Sequence, residues 1–184
     1  HGYLTGTCVM TFINTAAGVY NWATFDELFS NNPTKQIIFC LGATPDYLVS
    51  RAATGSSYKG TKGNMCPDDL AGWVTAVTAV VNRAKLMYGR TGLIWQMWNE
   101  IDQVASYNDT ISLLGPYTKA TVQAIKAADP TAICIGPTIA GANAVAIPFS
   151  VSYITASDGA GGTSATWLDG VACHYYNQSA LQVS

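Results

Sequence analysis

An amide and a carboxylic acid, Asn99 and Glu100, close the apolar run Leu93-Ile94-Trp95-Gln96-Met97-Trp98. The only other glutamate in the chain is Glu27. A carboxylic acid held at the end of such a run can give its proton to a leaving oxygen. The amide beside it can hold a neighbouring hydroxyl, and together the two groups suit cleavage of a bond between sugars. Trp95, Trp98, Tyr175 and Tyr176 offer flat apolar faces of the kind that pack on pyranose rings.

The pair has chemical meaning only if the fold gathers other polar groups around it. Five short apolar runs, at 7–13, 36–42, 93–100, 132–136 and 167–173, alternate with segments of helical period. That alternation predicts an α/β fold of parallel strands joined by crossover helices. Helices are expected over 24–29, from Pro67-Asp68-Asp69 onward, over 110–128 and over 145–156. In the second of these, Leu70, Trp73, Val74, Val77, Val80, Val81 and Ala84 recur at the three-and-four spacing of one buried face. Strands that are apolar throughout are buried on both faces, as in a doubly wound sheet or a (β/α)8 barrel, and both architectures place function at the carboxyl ends of the strands. Read in order, those ends are Asn14, Thr44-Pro45, Asn99-Glu100, Pro137-Thr138 and His174-Tyr175-Tyr176.

Composition narrows the partners. The chain has 184 residues, of which 49% are hydrophobic, enough for one domain with a core. Only 11% of residues are charged and the net charge is -2, with Lys and Arg scattered from Lys35 to Lys126, so no nucleic-acid partner is expected. No apolar run approaches the roughly 18 residues that cross a bilayer, so no membrane partner is expected. The absence of an initiator methionine or a charged-then-apolar leader predicts a mature product or an excised piece. Two sequons, Asn108-Asp109-Thr110 and Asn177-Gln178-Ser179, point towards secretion. The five cysteines show no ligand spacing, so neither a metal nor a cofactor is expected. Buried thiols are the expectation, with one disulfide as the alternative. Cys66 alone lies in a polar loop.

The segment Trp98-Asn99-Glu100 after an apolar strand resembles the acid/base strand of clan A glycoside hydrolases, retaining (β/α)8 enzymes in which that glutamate ends strand four. Gly18-Val19-Tyr20-Asn21-Trp22 resembles the segment after strand two, and Leu41 to Leu48 the end of strand three. Ile135-Gly136-Pro137 is similar to the end of strand five, and Leu168 to Tyr176 to strand six with its H-x-Y rim. Within the clan the nearest resemblance is to glycoside hydrolase family 39, over about residues 8 to 178. It implies Glu100 as general acid/base and Asn99 as the group that binds the sugar 2-hydroxyl. His174 and Tyr176 would lie on the rim, with Trp98 also among the substrate-binding residues.

Two departures accompany the resemblance. The proline that usually follows the acid/base is replaced by Ile101-Asp102, which is expected to bring Asp102 near the site. The retaining mechanism also needs a second carboxylate about 5 to 5.5 Å from the first, in this clan a glutamate ending strand seven. No glutamate follows Glu100. The chain thus reads as a single domain, 1–184, matching strands two to six of a barrel and lacking counterparts of strands one, seven and eight. Its two open sheet edges are expected to be covered by a partner chain, as in a homo-oligomer, or by a rearranged terminus, unless the chain is a fragment of a longer enzyme. The implied function is a glycoside hydrolase acting on β-linked polysaccharide or oligosaccharide. The alternative is a non-catalytic carbohydrate-binding domain derived from such an enzyme.

Overall fold

The computed structural model of the chain describes residues 3–6, 10–53, 62–141 and 143–174. Its elements begin with β1 (Tyr3–Gly6), α1 (Met10–Ile13), a hairpin of β2 (Asn14–Ala16) and β3 (Val19–Tyr20), and α2 (Ala23–Asn31). There follow β4 (Gln36–Leu41), α3 (Leu70–Tyr88), β5 (Ile94–Met97), α4 (Leu114–Ala128), β6 (Ile133–Ile139), α5 (Ala146–Ile154) and β7 (Gly170–Cys173). The strands β1, β4, β5, β6 and β7 lie side by side in that order, and every neighbouring pair is parallel. Parallel strands in chain order, joined by helices, make a stretch of (β/α) barrel.

The longest helix is built as its sequence directs. Asp69 caps α3 by accepting the Gly72 N–H at 2.9 Å. Gly89, at φ +62°, ends it in the left-handed conformation that closes helices at low cost. Trp73, Ala76, Val77, Val80, Val81 and Ala84 form its buried stripe.

Aromatic stacking shows which sheet face meets the helices. Phe39 and Trp95 are register partners with ring centroids 5.1 Å apart, and Phe39 also packs on Phe25 and Phe29 of α2. Strand alternation then puts Ile38, Cys40, Ile94 and Gln96 on the opposite face. Trp95, fully buried in the helix-side layer, does not offer the open sugar-binding face expected of it.

Three expectations need correction. The first strand of the sheet is Tyr3–Gly6, and Met10–Ile13 is a helical turn. Met10 and Ile13, three residues apart, are the buried positions of that turn, which is a helical period inside an apolar run. The strand expected over 93–100 ends at Met97, because Trp98 takes φ +64° and leaves the ladder. Cys66 lies in the core at 2% exposure, while Cys173 is exposed on β7. Cys8 lies outside the described residues.

Candidate active site

Trp98 breaks the inside-outside alternation of β5. Alternation from Trp95 and Met97 would turn residue 98 to the inner face of the sheet. Its left-handed backbone instead sends the indole back to the helix layer, where it meets Tyr117 of α4 edge-on at 5.6 Å and Tyr107 at 5.4 Å. The indole N–H donates to the Ser106 carbonyl at 2.8 Å, and the residue is 1% exposed. Trp98 is therefore an anchor for the loop that carries Glu100, not the sugar-stacking face expected from sequence.

Glu100 also has a positive φ, +46°. Left-handed conformations of residues with a β-carbon carry a cost and persist where surrounding contacts hold them. Here the contacts are backbone bonds that stitch the strand ends together. Trp98 N–H donates to Leu41 O of β4 at 3.3 Å, Ile101 N–H to Thr138 O of β6 at 3.0 Å, and His174 N–H to Ile139 O at 2.9 Å. On the other side, Met10 N–H donates to Gly42 O at 3.2 Å. These bonds link the carboxyl-terminal rim from the residues after β1 to those after β7.

On that rim Glu100 Oε1 lies 2.9 Å from His174 Nδ1. Their side chains are 24% and 27% exposed, so the pair is sheltered yet open to a ligand. Asn99 is half-buried between Trp98 and Glu100. The acid, the amide and the imidazole thus come from the ends of β5 and β7. Tyr175 and Tyr176 lie outside the described residues.

Asp102 is on the same loop, but its oxygens have other work. Oδ1 accepts the Ala140 N–H at 2.8 Å and Oδ2 accepts from Gln103 Nε2 at 2.9 Å, which fastens the loop after β5 to the end of β6. Other described aspartates also hold backbone. Asp109 takes the Cys66 N–H at 3.0 Å and pairs with Arg51 at 2.8 Å. Asp129 takes the Gly92 N–H at 2.8 Å, and Asp169 takes the Cys134 N–H at 2.7 Å at the amino end of β7, away from the rim. Asp46 accepts the Lys62 N–H at 2.8 Å.

The remaining strand-end residues act as fasteners. Thr44 Oγ1 donates to Met65 O at 2.6 Å, and Thr138 is buried, contributing its carbonyl to Ile101. Asn14 is fully buried; its Nδ2 donates to Ala16 O at 2.9 Å and Val19 O at 3.1 Å, and its Oδ1 accepts from the Tyr47 hydroxyl. Sequence reasoning gave Tyr47 no role of its own. Its signal was an aromatic residue just past a strand end.

No protein-family model and no curated protein matches the chain. Solved structures do. A monomeric beta-xylosidase from Caulobacter crescentus CB15 superposes with a TM-score of 0.68 at 22% identity, covering 95% of this chain and 35% of that one. A GH39 beta-xylosidase from Caulobacter crescentus superposes with a TM-score of 0.67 at 23% identity, covering 97% of this chain and 40% of that one. The chain thus spans 35 to 40% of the length of these proteins. Its fold is similar to part of the barrel of GH39 beta-xylosidases, a partial (β/α)8 barrel.

Proposed function

We propose that the chain is a glycoside hydrolase domain acting on β-linked oligosaccharide or polysaccharide, with Glu100 as its general acid/base. The observation that carries this reading is the sheltered contact between Glu100 Oε1 and His174 Nδ1 at the ends of two parallel strands. In the proposed reaction the Glu100 carboxylic acid protonates the glycosidic oxygen as the bond to the anomeric carbon breaks. A second carboxylate, for which this sequence offers no counterpart, would bond to the anomeric carbon as that bond breaks; water then displaces it, giving its oxygen to the sugar and its proton to the Glu100 carboxylate. Asn99 holds the 2-hydroxyl of the sugar at the cleavage point. His174 orients the acid. Xylo-oligosaccharides are the first substrates to test, because the solved proteins of like fold are beta-xylosidases. Replacing Glu100 with Gln is expected to cut turnover of an aryl β-xyloside by about a hundredfold or more. Unchanged turnover would refute the role.

A second reading is favoured by Asp102. Both its oxygens are engaged with Ala140 and Gln103, so it is not poised as the second carboxylate that hydrolysis requires. On this reading the chain binds carbohydrate without cleaving it. Calorimetric affinity for an oligosaccharide, with no reducing sugar released, would select it over the first. The proposal extends to secretion and to pairing of open sheet edges between copies. The first is tested by locating the native protein, the second by its mass in solution.

A further inference from the structure

The residues that follow β1 and β4 place two tyrosines together on the rim that carries Glu100. Tyr47 sits in a single 3-10 turn, Asp46–Leu48, just past β4, and its hydroxyl donates to Asn14 Oδ1. Asn14 begins the β2–β3 hairpin and is the register partner of Tyr20. The same asparagine closes the hairpin through its bonds to Ala16 and Val19. One buried amide therefore fixes both the hairpin and the Tyr47 ring.

Tyr47 is nevertheless 40% exposed, and Tyr20 is half-exposed. Tyr20 is braced from behind by Trp22, stacked at 4.9 Å with the planes 10° apart. Asn14 joins the two tyrosines, by register with Tyr20 and through its Oδ1 with Tyr47, and partial burial makes both phenols less acidic than free tyrosine. Exposed aromatic rings held in place by hydrogen bonding and stacking lose little freedom when a ligand arrives, which is what an efficient binding face needs. Their π faces suit the C–H face of a pyranose. The backbone bonds from Met10 to Gly42 and from Trp98 to Leu41 tie this segment to the end of β5.

We infer that Tyr47 and Tyr20 form an aromatic subsite for a second sugar ring of a β-linked oligosaccharide, on the β1 side of Glu100. The inference rests on the carbohydrate-active reading of the rim and adds a direction: the sugar chain runs from the end of β5 across the end of β4 towards the β2–β3 hairpin. The site is thereby assigned to substrates longer than one ring.

The test is calorimetric titration of the 184-residue chain with xylotetraose and with xylose, on wild type, Tyr47→Ala and Tyr47→Phe. Tyr47→Ala is expected to weaken xylotetraose binding by about tenfold and to leave xylose binding unchanged. Tyr47→Phe, which keeps the ring and loses the bond to Asn14, is expected to retain most of the xylotetraose affinity. A Tyr47→Ala protein that binds xylotetraose as tightly as wild type overturns the subsite while the Glu100 reading stands. A wild-type protein that binds neither sugar overturns both. Should Tyr47→Ala fail to fold, the decision falls to tyrosine nitration of the wild-type protein, read by peptide mass spectrometry. Xylotetraose is expected to protect Tyr47, and equal nitration with and without it overturns the proposal.

Discussion

Glu100 and His174, 74 positions apart in sequence, meet through Oε1 and Nδ1 at 2.9 Å because their strands are separated by β6 alone in the sheet. The contact joins the only acid that ends a described strand run on this rim to an imidazole fixed by its own backbone bond to Ile139. Removing the acid by Glu100→Gln is expected to lower turnover by a factor on the order of 100 to 10,000, the usual contribution of a positioned proton donor. Steady-state rates on an aryl β-xyloside with an unactivated leaving group give the measurement.

Replacing His174 with Ala should leave the protein folded and lower kcat on an aryl β-xyloside with KM unchanged, because the imidazole touches the acid and is not placed on the sugar. A raised KM with kcat unchanged would make His174 a sugar contact instead. Unchanged kcat and KM would make it a packing residue only.

Trp98 is expected to matter for stability and not for sugar affinity. Its ring is fully enclosed between Tyr107 and Tyr117, so Trp98→Ala should cost about 3 to 5 kcal/mol in denaturant unfolding. Trp98→Phe loses the bond to the Ser106 carbonyl and should cost about 1 kcal/mol beyond the change in packing. Calorimetric affinity of the Phe variant for xylotetraose should equal that of wild type.

How much of this was legible in the sequence differs from residue to residue. The α3 stripe was readable because Trp73, Val77, Val80, Val81 and Ala84 repeat at helical period for about three turns and Asp69 caps the start. Glu100 and His174 were readable as strand ends. Trp98 was misread because alternation is a local rule, and a single positive φ reverses the face a side chain meets. The run around Met10 to Ile13 misled because four residues are too few for its helical period to stand out from an apolar strand. Tyr47 and Asn14 are 33 positions apart, and nothing local announces a bond made across two loops.

Acid is expected to loosen the Arg51 region first. Burial pushes the Asp68 carboxyl up, but the Ser50 hydroxyl, the Ser50 and Arg51 N–H groups and the Arg51 guanidinium outweigh it and hold the group down at about 2. A folded-state value below the unfolded 3.8 stabilises the protein above pH 3.8, and that stability is lost as pH falls towards about 2. Asp68→Asn should therefore lower the melting temperature at pH 6 and flatten its fall between pH 4 and pH 2, as followed by circular dichroism.

Thiol chemistry separates the cysteines by burial. Burial pushes the thiols of Cys66 and Cys134 up to about 12, and both side chains are enclosed, whereas Cys173 is exposed on β7. At pH 8 iodoacetamide should label Cys173 within minutes and reach Cys66 and Cys134 only after unfolding. Peptide mass spectrometry reads the order directly.

The tightest test of the packing is a single methyl group. Gly115 lies in the first turn of α4, and a β-carbon there would sit 1.9 Å from the Ser157 carbonyl oxygen and 2.8 Å from that of Ala156. Both obstacles are backbone, so no side chain can swing aside. The Ala156 carbonyl also receives the Ser164 N–H at 2.9 Å, which ties the segment to the turn before β7. Gly115→Ala gains helix propensity worth about 1 kcal/mol, but it must push α4 off the chain that leads into β7. Overpacking of this kind costs about 1 to 3 kcal/mol, and here it is expected to win because the approach is far inside contact distance. Since His174 directly follows β7, displacement of that segment should also reduce turnover. Gly89→Ala makes the control: its β-carbon meets open space, and only the positive φ is strained. Urea unfolding of both variants should show the larger loss for Gly115→Ala, and turnover should fall in that variant alone.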